Sequence, residues 1–349
     1  MEEHLRSLVL SETEVRTLVA DLHQDWTIQT VFGLPGSSNS LYALDVKTQN
    51  GPRQVICKCA QETDAEEFRI EPYLLKILHQ RTSIPVPEVL SIVDYCETVG
   101  GPLFLMERCS GENIASRARS IDAVLCEQIA YEAGQYLGQL HNLGSFDQFG
   151  SLRLARDTDQ EGGGLEADDC TLTVADGSHD DWCDWFHSLA SLFCSNLDDR
   201  FADFEGPLRE KFDEEIELFG GEEPVLTHKE YTFWNILVDL EIGETTAVLD
   251  FEGGRVGCAE YDIAAAIDSL SALAPANSTR RQLVRESLYS GYEEKNVLPK
   301  DQNFEQRRDL YALAVRLPFL IYFDSGLAIG PDDPETLMRE HREFVTELL

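Results

Sequence analysis

His228-Lys229-Glu230-Tyr231-Thr232-Phe233-Trp234-Asn235-Ile236-Leu237-Val238, with Val248-Leu249-Asp250-Phe251-Glu252 and then Tyr261-Asp262 behind it, is the stretch on which the reading of this chain turns. A carboxylate (Glu230), an amide (Asn235) and a second carboxylate (Asp250) lie on short turns beside two apolar, strand-like runs. Magnesium prefers oxygen ligands and keeps several waters. One amide oxygen and one carboxylate therefore suffice when a nucleotide supplies the rest. A further carboxylate beside an acceptor hydroxyl accepts its proton. Phosphoryl transfer needs little else, because its loose transition state is served by positioning and charge neutralisation. The plainer reading of the same residues is a β-hairpin, Ile236–Val238 with Thr246–Leu249, carrying polar turns.

Working upstream, Lys58 sits mid-strand between Cys57 and Cys59, where a charge is costly to bury without a partner. Glu71, on the helix expected from Asp64 to about Gln80, is the partner within reach; a lysine snorkelling from a half-exposed strand is the alternative. Gly33, Gly36, Ser37, Ser38 and Asn39 lie between two strand-like runs. Small residues there let backbone amides and hydroxyls approach a phosphate, and they equally suit a turn with no ligand. A Ser11-capped helix over residues 11 to 24 precedes them, and Asn50-Gly51 marks a tight hairpin turn. Strands are expected at Val89–Tyr95 and Leu103–Glu107.

Beyond Arg108-Cys109-Ser110-Gly111 the pattern becomes helical. One long amphipathic helix is expected from Ile121 to Asn142, and others at Trp182–Phe193, Glu205–Phe219 and through the C-terminal part. Residues 157–181 read as an acidic, glycine-rich loop with one short strand at Thr171–Val174.

The chain's 349 residues are 43% hydrophobic, enough for a large core in one two-lobed domain or two coupled ones. No run reaches the roughly 18 apolar residues of a membrane span. The best stretch, Tyr311–Phe323, contains Arg316 and Pro318. Met1-Glu2-Glu3-His4 lacks the basic-then-apolar layout of a secretion signal, so a cytoplasmic protein is expected. The nine cysteines are scattered; Cys170, Cys183, His187 and Cys194 match no usual zinc spacing and read as packing residues.

Charge is more telling. There are 64 acidic and 28 basic residues, a net charge of −36, and only seven of the basic ones are lysines. Nucleic acid and anionic membranes are poor partners for such a surface. Acid spread along a whole folded chain, with lysine scarce, is expected of a protein in multimolar salt and so of a salt-accumulating, haloarchaeal host. Residues 157–223 hold 21 acids and 3 bases. Solvation in salt accounts for this cluster; a cationic acceptor steered to an acidic cleft is the sharper alternative.

The loop at residues 33–39, Lys58, Glu71, the connector Met106-Glu107-Arg108, then His228-x-Glu230-x4-Asn235 and Asp250 stand in an order that resembles the aminoglycoside phosphotransferase family. These are relatives of choline and homoserine kinases with a protein-kinase-like fold. The resemblance runs over residues 25–265, strong from 224 to 265, fair from 31 to 111 and thin between. It implies an α+β, two-lobed architecture. A small antiparallel-sheet lobe over residues 1–108 would end in a connector, and a larger, mainly helical lobe would occupy 109–349.

The resemblance also implies ATP and magnesium as cofactors and a small-molecule acceptor. Gly36, Ser37, Ser38 and Asn39 would cover the phosphates, and Lys58, paired with Glu71, would contact them. Backbone groups near Glu107 and Cys109 would meet adenine. Asn235 and Asp250 would ligate magnesium, His228 and Asp262 would brace the loop, and Glu230 would be the catalytic base. Leu137-Gly138-Gln139-Leu140-His141 matches a helix end common in the family, read as structural.

One departure is plain: the family usually has His-Gly-Asp where this chain has His228-Lys229-Glu230. The extra methylene moves the carboxylate by roughly 1.5 Å, a shift that costs about 100-fold where geometry is strict. A working kinase and a nucleotide-binding pseudokinase both remain open, with a nucleotide-free scaffold as a third reading.

Overall fold

In the computed structural model the described residues are 8–34, 39–60, 66–156, 163–166, 170–175, 179–298, 300–326 and 333–349. The expected Ser11 cap opens the fold. Its hydroxyl accepts the Glu14 amide while the Glu14 carboxylate accepts the Ser11 amide, a capping box for α1 (Glu12–Leu22). Val15 and Val19 form the buried face of that helix. The next elements are β1 (Thr27–Leu34), β2 (Ser40–Thr48), β3 (Gly51–Cys59), α2 (Glu66–Arg81), β4 (Val89–Cys96) and β5 (Gly101–Glu107). Their strands form one antiparallel sheet in the order β1-β2-β3-β5-β4. Gly51, at φ +118°, makes the β2–β3 turn, a backbone region that favours glycine.

Alternation along β3 sorts the two faces of this sheet. Val55, Cys57 and Cys59 pack with Val15 and Val19 beneath α1. Lys58 lies opposite Phe104 of β5, on the face that meets α2. The apolar side of α2, including Phe68, Leu74 and Leu78, joins the large core that continues through the helical half of the chain. This helix therefore ties the sheet to the helical half.

Next come β6 (Glu112–Asn113), α3 (Ala123–His141), β7 (Gly150–Leu154), β8 (Leu165–Glu166), β9 (Thr171–Val174), α4 (Trp182–Cys194) and α5 (Glu205–Glu215). They are followed by β10 (Val225–Thr227), β11 (Ile236–Asp239), β12 (Glu244–Val248), β13 (Arg255–Gly257), α6 (Ala259–Leu270), α7 (Thr279–Glu293), α8 (Phe304–Ile321), α9 (Phe323–Gly326) and α10 (Pro334–Leu348). Asp122 caps α3 by accepting the amides of Val124 and Leu125. α3 packs tightly on α7. A Cβ at Gly134 would stand 2.0 Å from the Leu288 carbonyl oxygen, so only glycine allows this approach.

The α+β, protein-kinase-like two-lobed class expected from the sequence is the class observed. Two expectations shift. Residues 157–181 were expected to give one strand, but β8 and β9 both pair there, completing a sheet in the order β10-β13-β7-β9-β8. The Glu205–Phe219 helix ends at Glu215 and continues as a single 3-10 turn over Ile216–Leu218. No helix among the described residues is long and apolar enough to cross a membrane.

Candidate active site

Lys58 projects from β3 beneath α2, where its Nζ lies 2.6 Å from Glu71 Oε2. Both side chains are buried, at 6% and 2% exposure. The same ammonium reaches Asp250 Oδ1 and Glu252 Oε2, each at 3.1 Å, so residues from both halves of the chain converge on it. Asn39 Nδ2 donates to the same Glu252 oxygen. Burial works against the Lys58 charge, but the three carboxylates outweigh it and hold the ammonium well above its ordinary pKa. Burial pushes Glu71 up to about 7; Lys58 pulls it down, while Asp250 and Glu252 push it further up. Oxygens of Glu71, Asp250 and Glu252 all lie within 4.8 Å of one another. Three carboxylates around one ammonium leave excess negative charge at this point.

The loop that begins at His228 owes its shape to a carboxylate below it. Asp262, in the first turn of α6, accepts the amides of His228 and Lys229, each at 2.8 Å. Those bonds hold Lys229 at φ 71°, in the left-handed region. Burial alone would raise the Asp262 pKa. The hydrogen bonds it accepts from the His141 ring and the His228 amide, with those two neighbours beside it, hold it below the ordinary value instead. His141 Nε2 lies 3.2 Å from Asp262 Oδ2, and Tyr292 Oη lies 3.0 Å from His141 Nδ1.

The Glu230 amide donates to His228 Nδ1 at 3.3 Å, which leaves Nε2 to donate to the Leu249 carbonyl at 3.1 Å. That pattern is a neutral imidazole, in keeping with a pKa lowered by burial. The histidine thus joins the loop before Asn235 to the strand end before Asp250. Asn235 Nδ2 donates to the Glu230 carbonyl at 3.0 Å, which leaves its amide oxygen for another partner. Asp250 itself sits at φ 63°, ψ 61°. Aspartate tolerates that conformation better than most residues.

Glu230, Asn235 and Asp250 line one cavity of about 600 Å³. The Glu230 side chain is 57% exposed. Aromatic side chains from α4 and α6, Trp182, Trp185 and Tyr261, form much of the remaining wall. Of the acid-rich segment 157–223, Trp182, Trp185, Leu189 and Phe193 reach this cavity, and no carboxylate among the described residues does. The described part of that segment therefore supplies no carboxylate to the cavity.

The structure brings Asn39, Lys58, Glu71 and Asp250 together, and places Glu230, Asn235 and Asp250 around one space, with His228 and Asp262 beneath the loop. In the connector, the Glu107 amide is taken by the Glu88 carbonyl at 2.8 Å, whereas the Cys109 amide donates to no described residue. Burial and the neighbouring Glu107 raise the Cys109 thiol pKa to about 11. Gly36, Ser37 and Ser38 lie outside the described residues.

Sequence reasoning missed three residues. Glu252 carried its signal two places after Asp250. His141 was read only as a helix end. Arg255, which also lines the cavity, carried no signal beyond being a base in an acidic chain.

A charged pair under one helix faces a braced loop of carboxylate and amide side chains across a cleft, the arrangement of a protein-kinase-like fold. The profile of the phosphotransferase enzyme family matches residues 33–295, and the chain belongs to that family. It is accordingly a phosphotransferase acting on hydroxyl groups. A comparison with curated proteins finds no match.

Among solved structures it is similar to a mutant aminoglycoside 2'-phosphotransferase-IIIa in complex with GDP. Identity there is 14% over 97% of each chain, with a TM-score of 0.60. It is also similar to a thermostable aminoglycoside phosphotransferase in ternary complex with AMP-PNP and hygromycin B, 15% identical over 95% of this chain and 98% of that one, TM-score 0.60. A spectinomycin phosphotransferase with ADP and spectinomycin is 12% identical over 97% of each chain, TM-score 0.54. Likeness at this level of identity speaks for the fold.

Proposed function

We propose that the protein transfers the γ-phosphoryl group of ATP to a hydroxyl of a small metabolite, with magnesium as cofactor. The observation that carries this reading is the meeting of Lys58, paired with buried Glu71, and Asp250 at 3.1 Å, beside a cavity that also receives Glu230 and Asn235. In it, Lys58 holds nucleotide phosphates, Asn39 and the loop before it cover them, and the backbone at Glu107 and Cys109 meets adenine. Glu230 takes the acceptor proton as the new oxygen–phosphorus bond forms and the bond to the bridging oxygen of ADP breaks. His228 and Asp262 keep the loop in register.

The donor set suits magnesium. It is all oxygen, the Asn235 amide oxygen is left over by the hydrogen bond to Glu230, and the excess carboxylate charge around Lys58 calls for a cation. Asn235 and Asp250 would hold the ion, which when bound neutralises charge on the transferring phosphate. We place the lobe boundary at residues 108 and 109. The small sheet ends at Glu107, and the next strand, β6, pairs instead with β11. The acidic composition supports a cytoplasmic protein of a haloarchaeal, salt-accumulating host.

Labelled-ATP turnover against a metabolite panel in molar KCl tests the assignment. Asp250→Ala abolishes transfer and the magnesium-dependent thermal shift with ATP. Glu230→Gln lowers kcat about 10²- to 10⁴-fold with little change in ATP affinity. Wild-type turnover by Asp250→Ala would remove the metal assignment. Tight magnesium-ATP binding with no transfer to any acceptor would favour the pseudokinase.

A further inference from the structure

Arg255 stands at the cavity wall and differs from the ion-paired arginines of this chain. The buried arginines Arg281 and Arg316 answer to Asp268 at 2.5 and 2.6 Å, and Arg307 to Glu260 at 2.6 Å. Arg255 has no ion pair among the described residues, although the sequence contains 64 acids. Its Nε is buried and finds no acceptor among the described residues. The carboxylate acting on it through space, Glu67, is exposed and forms no ion pair with it. Burial pulls the guanidinium pKa below its ordinary value. A partly buried charge with no ion pair is destabilising unless something else supplies the counter-charge.

Its position is well fixed. Arg255 lies on β13 opposite Thr227 of β10, and the Thr227 hydroxyl donates to its carbonyl at 2.9 Å. Thr227 directly precedes the His228 loop, so the guanidinium is set in register with Glu230 by adjoining strands. The guanidinium carbon stands 4.5 Å over the Trp185 ring. Stacking of this kind orients the planar fork and leaves its edge free for a planar or tetrahedral anion. It also occupies the Trp185 face that would otherwise attract a ligand cation.

We propose that the acceptor carries an anionic group, a carboxylate or a phosphate monoester, which Arg255 binds in the cavity while the acceptor hydroxyl faces Glu230. The aromatic wall of Trp182, Trp185 and Tyr261 takes a flat or apolar body between the two ends. This rests on the phosphotransferase reading above for the hydroxyl, but not for the anion. The acceptor is a hydroxy acid or a phosphorylated alcohol, not the cation that the acidic composition suggested.

Binding is measurable without catalysis, because three of the chain's four tryptophans, Trp182, Trp185 and Trp234, line the cavity. Tryptophan emission, excited selectively, is titrated in molar KCl with 3-phenyllactate, phenyl phosphate, neutral 3-phenyllactamide and cationic phenylalaninol. A partly buried ion pair is screened less than a surface one, so the preference persists in salt. At least one acid is expected to bind saturably and 10-fold or more tighter than both the amide and the amine.

Arg255→Gln erases that preference, and Arg255→Lys keeps part of it. Phenyllactate alone giving the signal selects carboxylate; phenyl phosphate alone selects phosphate. The proposal is overturned if neither acid binds saturably, if the amide or amine binds as tightly, or if folded Arg255→Gln keeps the preference. The titration of the unaltered protein decides the matter even where Arg255→Gln does not fold. An acid that binds by this test but accepts no phosphate from ATP, with every panel hydroxyl also refused, counts against the kinase reading and not against this one.

Discussion

At the residue scale the loop carries two departures that the structure links. Asp262 pulls two successive amides onto its carboxylate, and the turn this imposes puts position 229 at φ 71°. Glycine adopts that conformation freely, which gives a physical reason for the glycine usual at this place in the family. A lysine there costs about 1–2 kcal/mol. Glycine returns part of that through the greater freedom of the unfolded chain, about 0.5–1 kcal/mol. Lys229→Gly is therefore expected to stabilise the protein by up to about 1 kcal/mol and to raise Tm by about 2–4 °C, read from thermal unfolding. A lower Tm would mean that the Lys229 ammonium, 3.8 Å from Glu230, contributes more than the strain costs. Glu230 is the second departure. Its backbone is pinned through His228 and Asn235, so only its longer side chain is free to adjust.

At the element scale, α6, α7, α8 and α10 meet around one buried charge. Asp268 of α6 binds Arg316 of α8 and Arg281 of α7, and His341 of α10 closes the cluster against Arg316 and the rings of Phe201 and Phe323. Burial lowers the His341 pKa to about 3; Arg316 lowers it too, Asp268 opposes and Arg119 adds a smaller push downward. The folded pKa is thus below the unfolded one. The unfolded chain takes up a proton as pH falls below about 6.5, and stability drains away from there down to about 3, by about 1.4 kcal/mol per pH unit at most. His228, also lowered by burial, acts in the same sense. Between about pH 6.5 and 4.5 the depressed carboxylates Asp262 and Asp268 do not respond, while Glu71, raised to about 7, acts in the opposite sense, so chemical denaturation of the protein beside a His341 variant isolates this contribution. His341→Asn flattens the slope by about one proton; an unchanged slope would place the titrating group elsewhere. None of this cluster was legible in sequence, because its members lie on four helices and periodicity reports only a buried face. The helices themselves were legible. Ser11 and Asp122 announce α1 and α3, and Asn50-Gly51 the β2–β3 hairpin. β8 was not, since two residues carry no period and only pairing with β9 defines them.

At the scale of the whole molecule, the contact that makes the site, Lys58 to Asp250, spans 192 positions of sequence. No local pattern encodes such a contact. The order of the parts pointed to it, and only folding could add Glu252 and Arg255. The chain's net charge of −36 acts on the same scale. Raising KCl from about 0.1 M to about 1 M shortens the screening length from roughly 10 Å to roughly 3 Å. Exposed ion pairs such as Arg342–Asp203 then weaken, but each contributes only about 0–1 kcal/mol. Self-repulsion among 64 acids opposed by 28 bases weakens at the same time, and its excess of one sign makes it the larger effect. The buried Lys58–Glu71 and Asp268–Arg316 pairs are screened least, so site and core geometry persist. The urea midpoint is therefore expected to rise with KCl, and KM for ATP to fall, because the same field repels an anionic nucleotide at low salt. A midpoint that falls or stays flat would mean that surface pairs outweigh repulsion and would remove the halophilic reading. A KM that rises with salt would mean that ATP is held mainly by exposed charge and not by the sheltered lysine.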